Sequence, residues 1–145
     1  MSTENIWQIS AISKGEFTMA NYVCTNRTNY FRVTDAEAFK NFLSQVVTDT
    51  GEDLYVWEKG TDDETYYAFG CYSNIFGIPD DTGETDVDSY DRFIDGLQKY
   101  VAKDDAVILL HVGHEKLRYV TGCATVIKKK SMDIFNIQDL AVKLA

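Results

Sequence analysis

The sequence predicts an α+β fold in which amphipathic helices pack against an antiparallel sheet. Residues 35–46 and 90–100 each place apolar side chains at three- and four-residue spacings, as helices with one buried stripe do. Other segments are β-branched and aromatic runs paired around short polar turns, which indicates hairpins. The chain has 145 residues, of which 45% are hydrophobic, enough for one core. We therefore expect a single α+β domain over residues 19–145.

The clearest hairpin joins residues 106–112 to residues 117–127. The connecting Gly113-His114-Glu115-Lys116 has the composition of a short polar turn. Alternate residues of the first run are apolar on both sides, which predicts an interior strand. Gly122 in the second run indicates a bulge or a close backbone approach.

Three further segments predict strands. Residues 21–33 are rich in Tyr, Val and Thr but polar in the middle, which favours an edge or half-exposed strand. Residues 54–59 and 65–73 predict a second hairpin around the polar turn 60–64. Residues 74–78 are ambiguous between strand and loop.

Three helix starts are expected. Thr34 and Glu37 match a capping box, with Thr34 as the N-cap. Asp88 or Ser89 begins the second helix, and Asn136 caps a third that continues to the C-terminus.

The order of elements from residue 19 is β-α-β-β-α-β, followed by one strand and one helix. The first six elements correspond to the ferredoxin-like split arrangement, an antiparallel sheet with both helices on one face. The hairpin strand 117–127 then extends the sheet as a fifth strand, and the C-terminal helix covers its edge or its open face. The alternative is another α+β sandwich with the same elements paired differently.

Residues 1–18 lack a clear hydrophobic period and are predicted to be an extension to the domain. Lys14-Gly15-Glu16 can be encoded by AAA GGA GAA, a ribosome-binding sequence suitably placed before Met19. We therefore expect that the natural start is Met19 or that these residues form a small appendage.

The charge of the chain favours protein partners. The net charge is −9, from 23 acidic and 14 basic residues, and this opposes binding to a phosphate backbone. The basic run 128–130 is better interpreted as edge-strand protection against aggregation. Three cysteines without a close pair favour a reducing cytoplasm, and no segment predicts a membrane span or signal peptide.

No constellation of residues predicts catalysis, so we expect a protein that is not an enzyme and that carries no cofactor or metal. The sequence contains no nucleophile-elbow, P-loop or dinucleotide-binding motif. His111, His114 and Glu115 are too few and too loosely spaced to favour a metal site. The loop 80–88 is acidic at every second position but lacks EF-hand spacing, which favours a solvated loop.

The segments MANYVCTNRTNYFRV, FGCYSNIFG, SYDRFIDGLQKYVAKDDAVILL and HEKLRYVTGCATVI cover much of the chain after residue 18. In these segments the chain resembles small uncharacterised proteins found on phage and conjugative elements of gut-dwelling Gram-positive bacteria. The resemblance implies an accessory role in a mobile element, such as counter-defence, regulation of transfer or immunity. It implies no catalytic residues.

Two functions are open from the sequence. The first is a non-enzymatic acidic binding protein, an inhibitor of a basic host protein, with Asp80, Asp86 and Asp91 in the contact. The second is a sensor or sequestering domain in which cations and polar groups bind an anionic small molecule; its candidate residues are Arg27, Asn29, Arg32 and Arg118. The hairpin-turn residues His114 and Glu115, beside Arg118, are further candidates for partner contact. Oligomeric state has no signature in the sequence.

Overall fold

A computed structural model describes residues 22–61 and 63–145. The predicted extension 1–18 and the hypothesis of a start at Met19 lie outside the described residues.

Three helices and eight strands form over the described residues. The helices are α1 (Ala36–Ser44), α2 (Ser89–Tyr100) and α3 (Ile137–Leu144). The strands are β1 (Tyr22–Thr28), β2 (Val47–Thr48), β3 (Tyr55–Thr61), β4 (Glu64–Cys71), β5 (Ile75–Gly77), β6 (Val107–Glu115), β7 (Tyr119–Lys128) and β8 (Ser131–Asn136).

Six of these strands form one sheet in the order β3-β4-β1-β6-β7-β8, and every neighbouring pair is antiparallel. The short strands β2 and β5 pair separately. The predicted α+β class with a mainly antiparallel sheet is confirmed. The hairpin β6–β7 forms as predicted, and β6 is interior because β1 and β7 flank it.

The core lies between α1, α2 and one face of the sheet. Phe39 and Leu43 of α1 and Phe93 and Leu97 of α2 are buried against strand side chains such as Phe69. The aromatic rings interlock, with the Phe69 and Phe93 centroids 6.0 Å apart in an edge-to-face arrangement. Both amphipathic stripes predicted from the sequence are therefore buried on the same side of the sheet.

The polar strand β1 lies in the middle of the sheet, so the edge alternative of the prediction was wrong, whereas the half-exposed alternative agrees with the exposure of Val23 and Thr25 on one face. Its buried polar side chains have partners on neighbouring segments. The Asn26 Nδ2 atom donates to the Ser73 carbonyl at 2.6 Å, and the Thr28 hydroxyl accepts from the Phe69 backbone N–H at 3.0 Å. Because each group is hydrogen-bonded, burial does not carry the penalty of an unsatisfied polar atom. The strand also ends at Thr28, earlier than predicted.

Several boundaries differ from the expectations. The N-cap of α1 is Asp35, not Thr34, because the Asp35 carboxylate accepts from the Ala38 N–H at 3.1 Å. The strand β6 continues through Glu115, and the turn falls after it, where Lys116 has a φ of 49°. The main sheet also has a sixth strand, β8, which follows the basic run 128–130 and was not predicted.

The C-terminal helix α3 begins where predicted. The Asn136 side chain accepts from the backbone N–H groups of Gln138 and Asp139. None of its residues is buried, and Leu140, Val142 and Leu144 are all exposed. Ile137 lies on the sheet, in the space above the backbone of Gly122, which explains that glycine as a close approach.

A glycine in α2 provides a test of helix packing. A Cβ atom at Gly96 would overlap the Phe42 ring of α1. We predict that Gly96→Ala lowers the free energy of unfolding by about 1–3 kcal/mol, although alanine favours helices, because the Phe42 ring must move. Urea denaturation measures this change. Asp95→Ala, at an exposed position of the same helix, should stay within about 0.5 kcal/mol. A stabilised Gly96→Ala variant would contradict the packing.

Candidate binding surfaces

The acidic loop 80–88 is organised around Asp80 and Asp86. The Asp80 carboxylate accepts from the Thr82 N–H, the Thr82 hydroxyl and the Glu84 N–H, and these bonds lower its pKa. Asp86 pairs with Arg92 of α2 at 2.6 Å. Both predicted contact residues thus hold the loop in shape.

Asp86 is itself exposed, and so are five other carboxylates of this region. Asp91 is exposed in the first turn of α2, as predicted for a contact residue. Asp88 and Asp95 are exposed on the same side of α2, because residues three and four apart share a helix face, and Asp81 and Glu84 are exposed in the preceding loop. We call these five residues the acidic surface. It combines the loop with the solvent side of α2, opposite the stripe that enters the core.

The predicted anion-binding residues have partners within the protein. Arg32 pairs with Glu64 at 2.9 Å and with Asp105 at 3.2 Å. The Asn29 side chain donates to the Ala106 carbonyl and accepts from the Ile108 N–H, which links the end of β1 to the start of β6. The Arg27 guanidinium lies over the Trp57 ring, 3.9 Å from its centroid.

Arg118 lies in a different part of the sheet. It pairs with Glu115 at 3.2 Å, in the turn after β6. Arg27 is opposite Leu110 of β6, and Glu115, the partner of Arg118, follows five residues later, so these two positions of β6 are about 17 Å apart along the strand. A single small anion does not span that distance, so the four candidate residues do not form one site.

The hairpin turn holds a small charged cluster. The Glu115 carboxylate is buried and accepts from the Tyr119 hydroxyl at 2.6 Å, which with Arg118 lowers its pKa. His114 is exposed on the opposite side of β6. The two predicted contact residues therefore face different sides of the sheet, since neighbouring strand residues alternate.

Sequence reasoning missed the face of the sheet opposite α1 and α2, which we call the open face. Its exposed apolar residues include Val23 at 55%, Leu110 at 46% and Val112 at 51% of full exposure. These belong to β1 and β6, the two central strands. The other large apolar residues exposed on this face are Tyr55, Trp57, Ile108, Val120 and Phe135.

The open face is divided into two chemical halves. Over β3, β4 and β1 it is aromatic and cationic, with Arg27 on Trp57 and the Lys59 ammonium 4.2 Å from the Tyr30 ring centroid. Over β6, β7 and β8 it is mainly aliphatic, with Phe135 as an exposed aromatic residue of β8. Among the described strand residues of this face, carboxylates occur only at Glu64 and Asp133, both on outer positions of the sheet.

The other side of β6 carries a buried polar row. His111 Nδ1 is 3.0 Å from Asn26 Oδ1, and His111 Nε2 is 2.9 Å from the Tyr22 hydroxyl. Cys71 and Cys123 continue the row on the neighbouring strands. Burial lowers the pKa of His111 to about 4 and raises the pKa of both thiols. A neutral histidine beside protonated thiols is an arrangement that stabilises structure, not one that activates a nucleophile.

Over the described ranges, no group of three or more His, Cys, Asp or Glu residues could hold a metal ion. Within the same ranges, no helix is both long and apolar enough to cross a membrane. All three cysteines are free thiols, and burial raises the pKa of Cys24 to about 12.

Comparison with known proteins gave no match: no family model, no curated protein and no solved structure is significantly similar to the chain.

The buried histidine predicts a pH dependence of stability. The neutral form is favoured in the folded protein, so the unfolded chain binds an extra proton below its ordinary pKa of about 6.5. The contribution of neutral His111 to the free energy of unfolding is complete above that pH and decreases as the pH falls towards 4. Relative to His111→Gln, the wild type should lose about 3 kcal/mol of unfolding free energy between pH 7 and pH 4.

Urea denaturation across this pH range measures the difference. The exposed His114 provides the matched control, because His114→Gln should follow the wild-type curve. Parallel curves for wild type and His111→Gln would show that His111 is not held neutral.

Proposed function

We propose that the protein is a non-enzymatic binding protein whose acidic surface contacts a cationic region of another protein. The observation that carries this proposal is the separation of charge across the molecule. The acidic surface lies on the helix side, whereas the open face has almost no carboxylates over the described strands. A concentrated negative surface attracts a basic groove and accelerates its association.

The chemistry of the buried row supports a binding role over catalysis. The raised pKa values of Cys24, Cys71 and Cys123 disfavour the thiolate that a cysteine nucleophile requires. His111 is enclosed by the sheet and hydrogen-bonded to Asn26. These groups stabilise the interior of the domain.

We also infer a ferredoxin-like arrangement for the first part of the chain. Its support is the strand order β3-β4-β1-β6, in which β1 and β4 are central and α1 and α2 cover one face. The strands β7 and β8 and the helix α3 extend this unit beyond β6. Fold alone carries no function, so the proposal depends on the surfaces.

The biological setting that we propose is accessory activity in a mobile genetic element, with inhibition of a basic host protein as the specific role. This setting follows from the resemblance of residues 19–33 and the later segments to phage and conjugative-element proteins. An inhibitor of a nucleic-acid-handling protein needs a negative surface that competes with phosphate for a cationic groove. The acidic surface has that chemistry.

The test uses a triple variant, Asp88→Asn, Asp91→Asn and Asp95→Asn, because all three side chains are exposed on α2 or at its start. A partner captured from a Gram-positive host and then purified should bind the variant about 10- to 100-fold more weakly, with a smaller dependence on salt. Titration calorimetry at low and high salt gives both quantities.

A second triple variant is the matched control. Asp53→Asn, Asp63→Asn and Asp104→Asn change the net charge by the same amount at exposed positions outside the acidic surface. This variant should keep most of the wild-type affinity. Equal losses in the two variants, or binding that ignores salt, would refute a contact through the acidic surface.

A further inference from the structure

The open face presents apolar side chains at the centre of the sheet. In a monomer these side chains remain in contact with water and contribute no free energy of burial. Leu110 and Val112 project from β6, and Val23 projects from the neighbouring β1. A contiguous apolar patch of this kind is typical of an interaction surface. The two helices that complete the core, α1 and α2, lie on the other face, and among the described residues these three side chains stay about half exposed.

We propose that the open face is the contact of a homodimer, in which two copies pack sheet against sheet. Sheets in proteins stack about 10 Å apart with their strands nearly aligned, and their inner side chains interdigitate. In a two-fold arrangement the same patch serves both copies, so a face that is apolar in one copy meets an apolar face in the other.

The distribution of charge selects a second copy as the occupant. A chain with net charge −9 repels another copy over most of its surface. The open face is the exception, since its described strand positions carry carboxylates only at Glu64 and Asp133, on its outer positions. Two copies can therefore approach through this face without bringing their acidic surfaces together.

The size of the face is close to that needed for a stable dimer. Neighbouring strands are about 4.8 Å apart and each residue adds about 3.4 Å, so six strands of about seven residues span roughly 700 Å², including the part over β7 where Ile137 of α3 lies. Specific interfaces bury about 800 Å² on each partner. Trp57, with Arg27 stacked on it, supplies an aromatic anchor of the kind that contributes strongly to interfaces.

The helix α3 continues the apolar surface at one side of the open face. Ile137 lies on β7 above Gly122, beside Val112 and Val120, and together they line a small pocket. Leu140 and Leu144 remain exposed beyond it. In the dimer these side chains border the partner sheet, so burial of α3 accompanies association.

The first experiment measures the mass of the 145-residue chain in solution. Sedimentation equilibrium over a dilution series from sub-millimolar to sub-micromolar protein should give twice 16.5 kDa, falling to 16.5 kDa on dilution. A mass of 16.5 kDa throughout the series would overturn the proposal. If that monomer also protected Leu110 from carbene labelling, the chain would be covering its own face, which also excludes the dimer.

The second experiment places a charge on the face. Leu110→Asp and Val112→Asp should each weaken dimerisation by at least about 100-fold, because the charge is buried in both copies at once. Both side chains are about half exposed in a single chain, so the fold should tolerate the change, and circular dichroism checks it. Asn41→Asp, exposed on α1, adds the same charge away from the face and should remain dimeric.

Dimeric behaviour in the folded Leu110→Asp and Val112→Asp proteins would exclude the open face as the contact. The outcome is separable from the acidic-surface proposal, because the Asp88, Asp91 and Asp95 triple variant should dimerise as the wild type does. The wild-type dilution series also tests the dimer without any substitution.

Discussion

The structure depends on the burial of two aromatic helix stripes against one face of a single sheet. Phe39 from α1 and Phe93 from α2 meet the same group of strand residues, and both are fully buried. Each of these helices has only one apolar stripe, and that stripe is buried in the core. A sheet has two faces, however, and α1 and α2 cover one of them, whereas Val23, Leu110 and Val112 on the second face stay about half exposed among the described residues.

This one-sided burial explains how charge is distributed. Carboxylates can occupy the solvent sides of the helices without opposing the core, and the acidic surface forms there. On the open face the strands instead keep β-branched and aromatic residues, which suit a pleated surface that packs against something. The two proposed contacts are therefore compatible: a dimer joined through open faces would leave both acidic surfaces directed outward, each able to bind a partner.

Much of the fold was predictable because periodicity reports which side of an element is apolar. The stripes of α1 and α2 and the hairpin β6–β7 follow from local sequence alone. The central place of β1 did not follow, because Asn26 and Thr28 are polar and their partners, His111 and Phe69, come from distant parts of the chain. The strand β8 was missed for a related reason. Its pairing with β7 is seen only in the structure, and the composition of Ser131–Asn136 does not predict it.

The binding surfaces show the same division between local and distant information. Asp80, Asp86 and Asp91 were identifiable from composition, but only the structure shows that Asp80 bonds within the loop and Asp86 pairs with Arg92, whereas Asp91 is exposed in the first turn of α2. The stacking of Arg27 on Trp57 requires that β1 and β3 lie on either side of the small residues of β4, a fact of strand order. The open face likewise could not be predicted before the six strands were paired, because the sequence pattern of Leu110 and Val112 is also typical of core residues. An apolar strand residue becomes a candidate for binding when it stays exposed in the folded chain, as Leu110 and Val112 do among the described residues.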